Sequence, residues 1–321
     1  MLKSRETILA LAILVLLGGI ALRFAAFIAP ANLAAVFTDT SPLIILALGQ
    51  MAVIVTKCID LSVAANLALC GMIAAMLNGA GVPLPLILLA VVALGAALGA
   101  VNGLLVWRLG IPSIVVTLGT MTIFRGIIFL LTAGKWINAH QMTEGFKAFP
   151  RAQFLGLPVM AWIAVAVIAG FALFIRRSPL GRALFAVGGN PHAAVYAGID
   201  VGRTQFAAFV ISGALAGLTG YLWVARYAVA YVDIAGGFEL DVVAACVIGG
   251  IAIAGGAGSV AGAVMGALFL GIIKNALPVV GISPFWQMAI SGTAILVAVA
   301  VNSRGQGRQG RIILKQAEHR A

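Results

Sequence analysis

Charge is what this sequence has least of. Asp, Glu, Lys and Arg make up 9% of the 321 residues, where soluble domains carry about 25%, and that shortfall excludes a soluble globular chain. Histidine is nearly as scarce: His140, His192 and His319 lie too far apart for a ligand spacing such as HExxH, so no metal site is expected. The three cysteines, Cys58, Cys70 and Cys246, show no paired spacing and read as small packing residues rather than disulfide or metal partners.

A P-loop is missing too. AGKW around Gly134 places Trp136 where the hydroxyl residue belongs, and the glycines of GGAGS (255–259) lack the lysine, so the chain has no Walker-type ATP site of its own. No nucleophile stands beside a base, which argues against an enzyme, and no cofactor is implied. A run of acidic residues at midspan, common in proton- or sodium-driven carriers, is also lacking; the energy for any transport enters from elsewhere.

What is present is apolar sequence, almost end to end: 63% of residues are hydrophobic and the mean hydropathy is +1.14. A bilayer core of about 30 Å needs about 20 apolar residues per helical span. Ten such runs lie near 7–24, 41–57, 62–79, 84–106, 112–133, 156–175, 205–225, 241–255, 258–275 and 285–302. Helices are expected because a lipid-exposed backbone must satisfy its polar groups internally, and the weak alternation argues against a barrel. The expected fold is all-α: one polytopic membrane domain over 1–321, of about ten spans. Two boundaries are soft, at Lys57–Leu61 and at the GGAGS glycines, and both invite short or broken helices. The first run is flanked by Lys3, Arg5 and Arg23 and lacks a small-residue cleavage site, so it reads as a retained span rather than a signal peptide.

Lys and Arg set the orientation. With both ends inside, the cytoplasmic set is Lys3, Arg5, Lys57, Arg108, Arg176, Arg177, Arg182, Arg203, Arg304, Arg308, Arg311, Lys315 and Arg320, which is 13 of the 20 basic residues. Lys135, Lys147 and Arg151 fall on the opposite face. Topology thus accounts for the net charge of +11 without nucleic-acid binding. Residues 303–321 form a basic cytoplasmic tail.

Two glycine rows, Gly95, Gly99 and Gly103 in the fourth span and Gly258, Gly262 and Gly266 in the ninth, provide faces for close helix packing. They sit five spans apart, the layout of an inverted repeat of five plus five. Charges within or beside spans are few: Asp60, Arg125, Arg226, Asp241 and Lys274. Each costs about 2.5–3.5 kcal/mol at midspan on insertion scales, so all are expected against protein or water. Asp60 reads first as a cap for the following helix.

The segment 176–204 is the one long hydrophilic stretch on the basic face. Within it Asn190 is a good N-cap, Pro191 suits the first helical position and Gly198 is a natural stop, which predicts an isolated helix over about 191–197 presenting His192, Val195 and Tyr196. An amphipathic segment lying on lipid is the alternative. Three classes stay open at this point: a transporter driven by a separate motor subunit, an ion-coupled secondary carrier, and a scaffold that transports nothing.

The motifs narrow the choice. IDLSVAANLAL (59–69), IPSIVVTLGTMTIFRG (111–126), GGNPHAAVYAGID (188–200) and the long run from Glu239 to Leu277 make the chain, from about Asn32 to Leu314, resemble permease subunits of sugar-importing ABC transporters, the branch with ribose, xylose, arabinose and autoinducer-2 systems. Ribose-type permeases usually carry glycine on both sides of IDLSV, whereas Cys58 and Ala64 stand there. TKCIDLSVAANLA, INAHQM (137–142) and the stretch 221–241 most closely resemble rhamnose-transporter permeases.

The resemblance implies two permease subunits, identical or related, around one pathway in the bacterial inner membrane. It also implies a cytoplasmic ATPase with fused nucleotide-binding halves, which uses the ATP and Mg, and a periplasmic sugar-binding protein. It places ATPase coupling in Gly181, Arg182, Gly189, Asn190, Pro191, His192, Ala193, Tyr196 and Gly198. For a neutral deoxyhexose, Gln50, Asn66, Asn102, Thr117 and Thr120 are the expected polar groups of the pathway, with Phe124 and Trp223 as its apolar walls.

Overall fold

The computed structural model describes residues 5–279 and positions 281, 286, 289, 292 and 293. Twelve helices lie in the continuous part: α1 (Arg5–Arg23), α2 (Pro30–Ile54), α3 (Val63–Gly79), α4 (Leu84–Leu109), α5 (Ser113–Thr132), α6 (Glu144–Arg151), α7 (Val159–Arg177), α8 (Pro179–Gly189), α9 (Pro191–Tyr196), α10 (Val201–Tyr227), α11 (Phe238–Ile248) and α12 (Val260–Val279). Among the described residues, sheet is limited to two-residue strands. Ile137–Asn138 (β1) pairs antiparallel with Val229–Ala230 (β4), and Gln153–Phe154 (β2) with Leu157–Pro158 (β3).

Seven of the helices (α1, α2, α4, α5, α7, α10 and α12) are long and apolar enough to cross a membrane. Their outward faces carry Leu22, Leu89, Leu130 and Leu173, all well exposed, as expected where lipid replaces water as solvent. The first seven predicted spans and the ninth each correspond to a helix. The tenth, 285–302, and the basic tail lie almost wholly outside the described residues.

The eighth span is shorter than the sequence suggests. In place of 241–255 stands α11, whose 11 residues reach about 16 Å. Gly249 and Gly250 end it, and the chain crosses to α12 as an irregular loop through Gly255, Gly256 and Gly258, all at positive φ. A second break separates α2 from α3, with Lys57 in the left-handed region at φ 67°. The two soft boundaries in the sequence are therefore the two places where the helices give way. Conversely, α2 begins at Pro30 rather than near 41. Its polar stretch survives in the bundle because Thr38, Thr40 and Ser41 donate to the carbonyls of Ala34, Val36 and Phe37 on their own helix.

The core is the packing of α10 on α4, α3 and α2. Small residues allow the approach. A Cβ on Gly95 would overlap the Gly213 carbonyl oxygen, one on Gly99 that of Phe209, and one on Gly103 the backbone of Phe206. Gly262 and Gly266 do the same for α12 against the Gly249 and Ala245 carbonyls of α11, while Gly258 precedes α12 and abuts Ile251. Helix α12 also packs along α2, with Gly271 against Thr40. The fourth and seventh predicted spans, α4 and α10, thus pack together, as do the second and ninth, α2 and α12.

Candidate functional site

At one end of the bundle the segment 176–200 folds as two helices instead of an open loop. Ser178 caps α8 by accepting from Gly181 N at 2.8 Å, and Pro179 fills the first helical position. Buried Gly181 lets the chain turn back against Phe174 and Ile175 of α7, and Leu184 and Val187 bury the inner face of α8, leaving Arg182 outside. Asn190 then caps α9, its Oδ1 accepting from Ala193 N at 3.1 Å. At the far end Gly198 N donates to Val195 O and Ile199 N to Ala194 O, both at 2.9 Å, with Gly198 at φ +79°: a Schellman stop. The six-residue helix is fixed at both ends by its own sequence. Only Ala194 turns inward, while His192, Ala193, Val195 and Tyr196 are exposed, Tyr196 by 93%.

At the last turn of α8, just before α9, three backbone segments meet. Gly256 N donates to Val55 O at 2.9 Å, tying the α11–α12 loop to the end of α2. Gly188 lies against that bond so closely that a Cβ would overlap the Val55 carbonyl oxygen and come within 2.5 Å of Gly256 N. Gly256, at φ +73°, touches Gly189 in turn, and Gly255 presses on the Lys57 side chain. Gln205 of α10 adds a bond to Thr56 O at 3.2 Å. Both helix breaks therefore contact the last turn of α8, immediately before the exposed helix. Nearby, Trp107 of α4 carries the Arg108 guanidinium over its ring at 4.5 Å and packs on Gly202 and Phe206 of α10. This end thus gathers Lys57, Arg108, Arg176, Arg177, Arg182 and Arg203.

Six of the seven residues read from the sequence as pathway groups are buried in helix packing, and three of them, Gln50, Asn102 and Thr117, bond residues of the α2–α3 break. Gln50, with its amide oriented to donate to Asp60 O and accept from Asp60 N at 3.1 and 3.2 Å, holds the break from α2. Asn66 donates to Gly95 O at 3.2 Å, and Asn102 to the Ser62 hydroxyl at 2.7 Å. Thr117 reaches Ser113 O at 2.9 Å and Ile59 O at 3.3 Å, Thr120 bonds its own helix, and Phe124 is buried. Asp60 is 1% exposed. Its carboxylate accepts from Ser62 N and Oγ at 2.9 and 2.7 Å and from Ser212 Oγ at 3.3 Å. Asn102 Oδ1 is buried with no hydrogen-bond partner among the described residues.

Trp223 alone lies elsewhere, in a cavity of about 460 Å³ toward the opposite end, lined by Asp39, Trp223, Arg226, Tyr227, Phe238, Lys274 and Asn275 from α2, α10, α11 and α12. Arg226 pairs with Asp39 at 2.8 Å, and Lys274 with Asp241. Trp223 stands edge-on to Phe238 at 5.0 Å and tilted against Tyr227 at 5.2 Å. Arg125 lies in neither site: it donates to Val232 O and Ile234 O at 2.6 and 2.7 Å, anchoring the chain between α10 and α11. Among the described residues no group of three or more His, Cys, Asp or Glu is placed to hold a metal ion.

The family model described as the permease component of branched-chain amino acid transport systems matches residues 32–299. The chain belongs to this permease family. It is similar to the ribose import permease of Escherichia coli strain K12, 36% identical over 277 residues and 86% of either chain. It is also similar to the autoinducer 2 import system permease of Enterobacter sp. strain 638, 35% identical over 304 residues, 95% of this chain and 88% of the other. No solved structure matches it.

As a member of this permease family it is an integral membrane protein. The basic end presents an exposed helix just after the turn of α8 that contacts both helix breaks, and the other end holds a pocket lined by polar and aromatic side chains. Sequence reasoning found α9 through its caps. The GGAGS glycines are visible in the sequence as a break, but not the contact of Gly256 with Val55, nor the meeting of Asp39, Tyr227, Phe238 and Asn275, which depends on helices distant in the chain. Arg226 and Lys274 stood out as charges at span ends, but nothing local names their partners.

Proposed function

We propose that this permease is the membrane subunit of an ATP-driven importer carrying a monosaccharide, L-rhamnose, from periplasm to cytoplasm across the bacterial inner membrane. The observation that carries the reading is α9: a short helix, capped at both ends, exposed on its outer face and directly following the turn of α8 that contacts the two breaks of the transmembrane helices. A motor subunit needs a handle of this kind. The basic end faces the cytoplasm by the positive-inside rule, which puts α9 within reach of a cytoplasmic ATPase.

The sequence carries no Walker-type P-loop, so ATP and Mg belong to that ATPase, with fused nucleotide-binding halves. A second permease subunit completes the pathway, and a periplasmic binding protein delivers the sugar. Closure of the ATPase displaces α9 together with the end of α8. Because Gly188 and Gly189 are in backbone contact with Val55 and Gly256, the movement reaches both helix breaks without passing through flexible side chains. Packed interfaces of this kind switch between arrangements rather than deform smoothly.

The similarity to ribose and autoinducer 2 import permeases favours a second reading in which the cargo is another pentose or hexose, or autoinducer 2. Uptake of labelled L-rhamnose, D-ribose and autoinducer 2 by cells carrying the whole system separates these. Rhamnose uptake, abolished by deletion of 191–197 in a chain that still reaches the membrane, is the expected result. Uptake that survives the deletion, or that follows an ion gradient without the ATPase, would overturn the coupling assignment.

A further inference from the structure

We infer that the cavity between α2, α10, α11 and α12 is a binding site for a neutral, hydroxylated sugar ring; the inference rests on the sugar-importer reading and adds to it a site within the permease. Three observations point there together. The volume, about 460 Å³, lies in the range of about 300–1,000 Å³ typical of small-molecule sites. Its walls combine three aromatic side chains with polar groups, the composition that accepts a ring with an apolar C–H face and a rim of hydroxyls. Its charges are balanced. Asp39 is matched by Arg226, and Lys274 is matched by Asp241, which is outside the lining, so each charge at the site is paired.

Balance does not exhaust the hydrogen-bonding capacity. The Arg226 guanidinium has five N–H donors and is bonded to Asp39 through one nitrogen, and the Lys274 ammonium has three N–H donors and is bonded to Asp241. Asn275 spends its amide donor on Gly271 O at 2.9 Å, which leaves its Oδ1 as an acceptor. The donors of Arg226 and Lys274 and the acceptor of Asn275 share the lining with Trp223 and Phe238, which stand edge-on to each other. The carboxylates already hold the cations in place, so a hydroxylated ligand meets a preorganised rim. None of Gln50, Asn66 or Asn102 lines this cavity.

The test is saturation-transfer NMR on the full chain in lipid nanodiscs, with L-rhamnose and D-ribose as probes and glycine betaine as a non-sugar control, run beside whole-system uptake. The intact chain is expected to transfer saturation to ring C–H protons of a sugar and not to betaine. Trp223→Leu is expected to lower the transfer about tenfold by removing the aromatic wall. Asn275→Leu, which leaves the ion pairs and rings intact, keeps the test meaningful if Trp223→Leu does not fold. Unchanged transfer in folded variants, or none from a chain whose system imports sugar, would overturn the site while the importer reading stands. Sugar binding by a chain whose complete system imports no sugar would support the site and overturn the importer reading.

Discussion

Gly256 N donates to Val55 O at 2.9 Å, and this one bond joins the loop before α12 to the end of α2, directly under the last turn of α8. Gly188 covers the bond with no room for a side chain. Gly188→Ala is therefore expected to cost about 1–3 kcal/mol, as overpacking of a tight contact does, and to uncouple uptake from ATP hydrolysis. Gly170→Ala on α7 is the matched control, because a Cβ at Gly170 meets nothing within 4 Å. Thermal stability and sugar-stimulated ATP hydrolysis of the two variants, reconstituted with their partners, read the difference.

The seam between α4 and α10 gives a second pair. Gly95→Ala places a methyl group into the Gly213 carbonyl, whereas Gly119→Ala on α5 meets open space. The first is expected to lower stability by about 1–3 kcal/mol and the second to leave it unchanged or slightly improved, since alanine is the better helix former. Thermal unfolding in detergent, followed by circular dichroism, checks both.

Asn190 holds the first turn of α9 through Ala193 N. Asn190→Ala removes that acceptor and is expected to destabilise the local helix by about 1 kcal/mol, while Asn190→Ser retains most of it. Hydrogen exchange at Ala193 should accelerate in the alanine variant, and the same variant should retain less ATPase on purification.

Lys274 and Asp241 form a pair in which Asp241 is the more buried member. Lys274→Met leaves that carboxylate without its cation and is expected to cost about 1–3 kcal/mol. Adding Asp241→Asn should recover part of the loss, and a double-mutant cycle on thermal stability measures the coupling. Additive effects would show that the two side chains do not act as a pair.

The membrane class, the helical fold and α9 were legible in the sequence because their determinants are local. Apolar runs mark spans, and Asn190, Pro191 and Gly198 mark the ends of a short helix without reference to anything distant. The breaks at Lys57–Leu61 and GGAGS could be seen as interruptions, but not that they touch, since Val55 and Gly256 are brought together only by the packing of α2 beside α11 and α12. The first part of α2 was hidden by its hydroxyls and Asp39, polar residues that depress hydropathy yet are satisfied on their own helix or by Arg226. Asn66 and Asn102 illustrate the converse. A polar group in an apolar span looks the same in sequence whether it bonds a neighbouring helix or a ligand, and both bond neighbouring helices.

The most direct test of α9 as the coupling helix uses Tyr196, 93% exposed, in a chain whose three native cysteines are all buried. Tyr196→Cys is to be cross-linked in membranes containing the ATPase of its transport system, with and without ATP. A permease–ATPase adduct at Tyr196→Cys, absent from the same substitution at Trp136 on the opposite end, is the predicted result. Equal cross-linking at both positions, or an adduct at neither while uptake continues, would contradict it.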